Sequence, residues 1–305
     1  MIFEDYSFIE NLSLKERERF FGSERKKKSE ISLPRSNMMV NPLNLKHINR
    51  IDELPADMIT LNLEDGVSES RKEEALYNIA LFLSNLKESK SSVVVRVNPM
   101  DEGGEEEIRF LEDFGFDAVR ISKVKSPEDI ERALFLTSKD IHISMETKEA
   151  FANIGALKID KRLTVANLGI LDLLNSLSIS QSVLSLDNPS IDYILSKFLI
   201  ECKSFDIYPI SFMYQDYKNI KEFKEWCLKE KRMGFGGKQC LGPLQVQEAN
   251  KIFSVTEEDI KKARYIVEVF EKNSEKGING FMDEKYGFID EPIYKDALLI
   301  LRLGV

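Results

Sequence analysis

Short runs rich in β-branched and apolar residues recur along the chain, separated by longer segments whose apolar positions fall at helical spacing. The short runs are ISLPRSNMMV (31–40), DMITLNLE (57–64), SSVVVRVN (91–98), DAVRIS (117–122), IHISME (141–146), LTVANLG (163–169), FDIYPISFM (205–213) and GGKQCLG (236–242), and they predict eight strands. Among the intervening segments, KEEALYNIALFLSNLKE repeats apolar residues at i, i+3 and i+4. SPEDIERALFLTSK opens on Ser126 as an N-cap, with Pro127 in the first helical position and Asp129 three residues after the cap. Eight strands alternating with helices over about 250 residues predict an α/β fold, a (β/α)8 TIM barrel. A doubly wound open sheet is the alternative, but no GxGxxG turn follows the first strand. The expected organisation is a charged helical preface (1–30), the barrel (31–250) and a C-terminal helical extension (251–305).

In such a barrel, polar residues at the C-terminal strand ends face the active-site mouth. Glu64 and Asp65 in NLEDGV occupy that end of the second strand, Arg96 and Asn98 that of the third, and Lys123 that of the fourth. Glu146 ends the fifth, and Asp172 follows the sixth. Carboxylates and cations converging on one face indicate chemistry, with mouth ion pairs that only balance buried charge as the plainer alternative. ERKKKSE (24–30) reads as a solvated turn, and Met38 and Met39 as core.

Composition narrows that chemistry. The chain has 305 residues, is 43% hydrophobic and carries a net charge of -9, which argues against a broad nucleic-acid footprint. Cys202, Cys227 and Cys240 are odd in number and widely spaced, so neither a disulfide framework nor a CxxC metal site is expected. With His47 and His142 the only histidines, a metal would be held by carboxylates, which favours a hard ion such as Mg2+. No targeting segment is legible at the N-terminus and no apolar run approaches the roughly 20 residues of a membrane helix. A cytoplasmic protein without membrane or nucleic-acid partners is expected.

A series of motifs resembles the citrate lyase beta-subunit-like enzymes of the HpcH/HpaI aldolase superfamily, from about residue 33 to residue 300. In order they are RS at 35–36, NLEDGV with Lys72 downstream, RVNP at 96–99, SKVKSPEDI, MET at 145–147, LGILDL at 168–173, GFGGKQCLGPLQV, FSVTEEDIKKAR and GFIDEPIYKDA. Each alone is weak; nine in the right order and spacing are specific. The resemblance implies a TIM barrel, often trimeric, whose C-terminal segment reaches a neighbouring subunit. It implies Mg2+-dependent cleavage or formation of a carbon–carbon bond beside a thioester, of citryl, malyl or citramalyl type. The substrates would be a 2-oxo acid and an acyl-CoA or an acyl carrier protein.

Residue by residue, the resemblance implies that Glu146 and Asp172 bind the metal and that Arg96 binds substrate oxygens. Asp290 would handle the proton at the acyl α-carbon, acting from the adjacent subunit. Glu64 and Asp65 would anchor Lys72, Arg96 or metal-bound water, with direct metal ligation the alternative. Lys238 would pair with them across the mouth or form a structural salt bridge, and Lys123 is open between structural and catalytic roles. Arg25–Lys28, Arg35 and Lys46 are candidates for a groove that binds coenzyme A phosphates. Five positions depart from the family pattern: Asn62 for aspartate, Ser122 for proline, Leu171 for glutamate, Ser211 for aspartate and Gly242 for histidine. An aldolase acting on free 2-oxo acids and a non-catalytic barrel are the competing readings.

Overall fold

The computed structural model describes residues 1–31 and 33–304. Eight parallel strands run in sequence: β1 (Ser36–Val40), β2 (Met58–Asn62), β3 (Ser92–Val97), β4 (Ala118–Ile121), β5 (Asp140–Met145), β6 (Leu163–Leu168), β7 (Tyr208–Ile210) and β8 (Lys238–Cys240). From β1 to β7 each pairs with its neighbour in sequence, and β8 pairs with β1. A parallel bridge between Ser211 and Lys238 closes the ring. Ser211 N–H donates to Gly237 O at 3.0 Å, and Gln239 N–H to Ser211 O at 3.1 Å. The protein is therefore the (β/α)8 barrel that the alternation of elements predicts.

Every residue of β2, β3 and β4 is buried, because helices cover the outside of the barrel and side chains fill its inside. The helices Lys72–Asn85, Pro127–Leu136, Pro189–Ser204 and Ile220–Met233 belong to the outer layer. The capping box at Ser126 and Asp129 forms as expected. Inside, Met58, Val94, Ala118, Val165 and Ile210 make an apolar plug near the N-terminal ends of the strands. Above it the filling turns polar: Asn37 Nδ2 donates to Asn167 Oδ1 at 2.9 Å, and Thr60 Oγ1 donates to Asn37 Oδ1 at 2.8 Å.

By its contacts the chain falls into two compact units that divide after Ile252. The N-terminal preface belongs to the first. It forms only short helical turns, Ser7–Asn11, Leu14–Arg17 and Glu18–Phe20, and it is anchored by aromatic rings. Phe3 meets Phe82 edge-on at 5.3 Å and Phe21 meets Phe114 at 5.6 Å. The ERKKKSE stretch is not a wholly solvated turn. Lys26 is buried and pairs with Asp117 at 2.8 Å, and the same carboxylate accepts from the backbone N–H groups of Ser29 and Val93. A buried carboxylate at the start of β4 needs a counter-charge, and the preface supplies it.

The second unit contains the helix Glu257–Ser274, a hairpin of β9 (Gly280–Asp283) and β10 (Gly287–Asp290), and the helix Glu291–Leu303. The helical extension is thus interrupted by two antiparallel strands. Its own core is Ala263, Ile266, Phe270, Ile289 and Ala297, with Phe270 stacked on Tyr294 at 4.5 Å.

Candidate active site

At the C-terminal ends of the strands, a cavity of about 350 Å³ is lined by Asn62, Asp65, Arg96, Glu146, Gly169 and Asp172, among others. Strand alternation places two of these side chains: Arg96 faces inward on β3, and Glu146 follows directly on Met145 at the end of β5. Arg96 Nη2 lies 2.9 Å from Glu64 Oε2, 3.3 Å from Glu146 Oε2 and 3.6 Å from Asp65 Oδ2. One guanidinium therefore gathers three carboxylates, a use of its rigid fork that lysine could not match.

Lys123 works at two ends. Its Nζ is 2.7 Å from Glu64 Oε1, while its backbone N–H donates to Glu146 Oε1 at 2.7 Å. The residue takes a φ of 49°, and this uncommon left-handed conformation aims its N–H at the carboxylate. Gly169 fits against the other side of Glu146: an added Cβ would lie 2.6 Å from Glu146 Oε2. Asp172 stands in the first turn of the helix Ile170–Ser176, half-buried on the cavity wall. Burial, and then the Glu146 charge, push its carboxyl above the usual range.

Glu64 and Asp65 are pushed apart in acidity. Burial would raise Glu64, but Arg96, the Asp65 hydrogen bond and Lys123 outweigh it and hold its carboxyl well below the ordinary value. Asp65 is raised by partial burial, its side chain remaining 57% exposed, and by the Glu64 carboxylate beside it, which is the firmer cause. The NLEDGV turn is pinned by Asn62, whose Nδ2 donates to Asp65 O and whose Oδ1 accepts from Glu64 N–H at 3.3 Å. The amide at a position where the family has aspartate thus has both of its ends occupied.

Several expected contacts are elsewhere. Arg35 precedes β1, at the end of the barrel opposite the mouth, and its Nε and Nη2 grip Asp57 at 2.8 Å and 2.9 Å. Arg25–Lys28 lie at that end too, since Lys26 and Lys28 pair with Asp117 and Asp140 at the starts of β4 and β5. Lys238 is the first residue of β8 and points outward into the helix layer. It is fully buried, 2.6 Å from Glu230 Oε1 and 3.9 Å from the centre of the Phe212 ring. It forms a structural salt bridge and makes no pair with Glu64 or Asp65. Lys72 is likewise held by Glu69 at 2.9 Å and by Asn98 Oδ1 at 2.6 Å. Lys46 does reach the mouth side, on a cleft of about 820 Å³ lined also by Tyr6, Arg17, Gly66 and Arg71. Gly66 lines both this cleft and the smaller cavity.

Three residues at the site escape motif reading. Glu107, on the helix Glu105–Leu111, accepts from both the backbone and the side-chain amide of Asn98 and so fixes the end of β3. Arg120 and Gln239 face inward on β4 and β8, with Arg120 Nη1 donating to Gln239 Oε1 at 2.9 Å. Period-two alternation in DAVRIS was the available signal, since it puts Arg120 on the same face as Ala118. Of the departures, Ser211 faces outward and donates to Glu230 at 2.7 Å, and Ser122 donates to Val97 O at 2.7 Å. A Cβ on Gly242 would meet no atom within 4 Å.

Asp172 and Glu146 provide hard oxygen donors on one cavity wall. Among the described residues Asp172 makes no hydrogen bond or ion pair, so its charge is available to a cation. Two carboxylates and room for water or substrate oxygens suit magnesium, which is bound by one or two protein carboxylates and keeps several other ligands.

Comparison with known proteins agrees with this fold. Human mitochondrial citramalyl-CoA lyase is 27% identical over 291 residues, covering 87% of this chain and 84% of the relative. The citrate lyase subunit beta of Haemophilus influenzae is 25% identical over 293 residues, covering 89% and 97%. Among solved structures, a citrate lyase from Burkholderia xenovorans superposes with a TM-score of 0.78 at 15% identity over 89% of this chain and 92% of that one. The Mycobacterium tuberculosis protein CitE, in complex with magnesium, acetoacetate and coenzyme A, gives a TM-score of 0.71 at 19% identity over 88% and 97%. Residues 35–243 match the HpcH/HpaI aldolase/citrate lyase family, and the chain belongs to it.

Proposed function

We propose that this protein is a magnesium-dependent carbon–carbon lyase that cleaves, or forms, a 3-hydroxyacyl thioester, giving a 2-oxo acid and an acyl thioester. The observation that carries this reading is the cluster of Arg96, Glu146 and Asp172 around one cavity at the C-terminal strand ends. The names of the relatives support the thioester: citramalyl-CoA lyase, and the (3S)-malyl-CoA thioesterase of Cereibacter sphaeroides, which is 26% identical over 232 residues. The larger cleft that meets the cavity at Gly66 has room for a carrier arm, with Lys46 and Arg71 on its wall. That favours a thioester substrate over a free acid.

In cleavage, the 3-hydroxyl gives up its proton, the bond between C2 and C3 breaks, and its electron pair passes to the thioester α-carbon, which then takes a proton. Magnesium held by Glu146 and Asp172 would draw charge from the oxygens of the 2-oxo-acid half. Arg96 keeps Nη1 nearly free, 3.5 Å from Asn62, for a substrate oxygen. Glu64 stays ionised and braces both Arg96 and Lys123, which in turn hold Glu146. Asp65, whose pKa is raised so that its carboxylate is the stronger base, and which stands on the cavity wall, is suited to move the hydroxyl proton. Asp290, the N-cap of the last helix, accepts from Ile293 N–H at 3.3 Å; we assign it the α-carbon proton, from a neighbouring subunit of a homotrimer. A cytoplasmic location belongs to this reading and agrees with three cysteines that are all free and buried. Among the described residues no helix is long and apolar enough to cross a membrane.

The test is release of 2-oxo acid from citramalyl-, malyl- and citryl-CoA with and without magnesium. Magnesium-dependent turnover of one of them is expected, with Glu146→Gln and Asp172→Asn each lowering it at least about 100-fold, a loss of about 2.7 kcal/mol. Turnover that ignores both substitutions would reject the site, and no turnover of any thioester would favour a free-acid aldolase or a non-catalytic barrel.

A further inference from the structure

The floor of the cavity holds a second arginine that this mechanism does not use. Arg120 is 2% exposed and lines the cavity with Arg96 and Gln239. In the strand register it is flanked by Arg96 on β3 and by His142 on β5, and register partners face the same side of a sheet. Its Nε donates to Ser144 Oγ at 2.8 Å and its Nη1 to Gln239 Oε1 at 2.9 Å. Both acceptors are neutral. Arg96 next to it meets three carboxylates, whereas Arg120 makes no ion pair among the described residues.

A guanidinium buried without a counter-charge is costly, more so beside a second guanidinium. The Glu146, Glu64 and Asp65 charges favour the cation, but none of them pairs with it, and burial and the Arg96 charge outweigh them. Burial and the Arg120 charge hold the His142 imidazole down to about 3, so it stays neutral. Two further polar atoms in the barrel interior lack partners, His142 Nδ1 and Asn167 Nδ2. The unpaired cation and these atoms lie beneath the open cavity, where a ligand group can enter.

Position decides what that group is. Ser144, which fixes Arg120, is two residues below Glu146 on the same strand. At about 3.3 Å per residue along a strand tilted about 36°, Arg120 is anchored about 5 Å deeper than the backbone of Glu146. One carboxylate cannot serve both places, but the two ends of a short diacid can. We propose that Arg120 is a specificity-determining residue that binds a second carboxylate of the substrate, so that the 2-oxo acid made or consumed is a dicarboxylate with its distal carboxylate at the barrel floor. This rests on the lyase reading for the place of the first carboxylate.

The experiment measures binding of oxaloacetate and of pyruvate, in the presence of magnesium, to the full chain and to Arg120→Met and Arg120→Lys, with turnover of the matching thioesters alongside. The unaltered protein is expected to bind the dicarboxylate roughly 30-fold more tightly than the monocarboxylate, the range of one charge-assisted contact. Arg120→Met should abolish the preference and leave pyruvate binding unchanged, and Arg120→Lys should restore part of it. Equal affinities in the unaltered protein, or an equal loss of both ligands in Arg120→Met, would overturn the assignment. The first comparison needs no variant, so it decides even if Arg120→Met does not fold. A dicarboxylate preference that depends on Arg120 without turnover of any thioester would reject the lyase reading and keep the anion site. Turnover without the preference would do the reverse.

Discussion

At the scale of single residues, the site illustrates how neighbours set the charge state of chemically similar groups. Glu64 and Asp65 are adjacent in sequence, yet Arg96 and Lys123 keep the first ionised while the first raises the second. Glu107 is a separate case. Burial pushes its carboxyl up to about 7 from 4.5, against the two Asn98 hydrogen bonds that favour the ionised form. Its folded-state value is raised, so the stability it contributes is full below pH 4.5 and is lost as pH rises to about 7. The stability of the unaltered protein minus that of Glu107→Gln should therefore fall across this window, by at most about 3 kcal/mol. Urea unfolding of both proteins at several pH values measures it, and a difference that stays flat or rises with pH would contradict the assignment. The same substitution leaves one Asn98 donor facing an amide donor, so turnover should fall as the end of β3 loosens.

At the scale of elements, what was legible followed from strand alternation and what was not followed from strand length. β3 and β5 are six residues long, so the inward positions of Arg96 and Glu146 could be counted along a clear alternation. β8 has three residues, too few to establish which side Lys238 takes. Arg35 fell within an expected strand of 31–40, but β1 begins at Ser36, which leaves the arginine at the opposite end of the barrel from the site. The preface reads as charged, and its anchoring depends on Phe3 and Phe21 meeting rings far away in sequence, which no local pattern announces. The pairing of Lys238 with Glu230 makes a prediction at this scale. Both side chains are fully buried, and Ser211 is the other donor to the carboxylate. Lys238→Met leaves that carboxylate without its cation and should cost about 3–5 kcal/mol, whereas Lys238→Met with Glu230→Leu should recover most of the loss. Guanidinium unfolding of the two variants decides between this and a pair that faces the mouth: in the latter case the double variant would lose turnover as well.

At the scale of the whole molecule, the question is whether one chain suffices for the reaction. The first unit carries Arg96, Glu146 and Asp172, and the second carries Asp290 at the junction of β10 and the last helix. The second unit also exposes Met282, Phe288 and Leu299, at 75%, 57% and 49%, more apolar surface than so small a core needs for itself. Such a surface agrees with a neighbouring subunit, as does the proposed role of Asp290 across an interface. The two ideas share one test. Asp290→Ala should lose turnover while its magnesium affinity stays nearly unchanged, because the proposed metal carboxylates are on the barrel. Glu146→Ala should lose both. If each site draws Asp290 from one subunit and Glu146 from another, mixed oligomers contain some sites with both residues intact. Co-refolded mixtures of the two inactive variants should then regain part of the activity, with the regained fraction tracking the mixing ratio. Activity that stays at zero after verified subunit exchange would place both residues in the same chain's site, and turnover by Asp290→Ala alone would remove Asp290 from the chemistry.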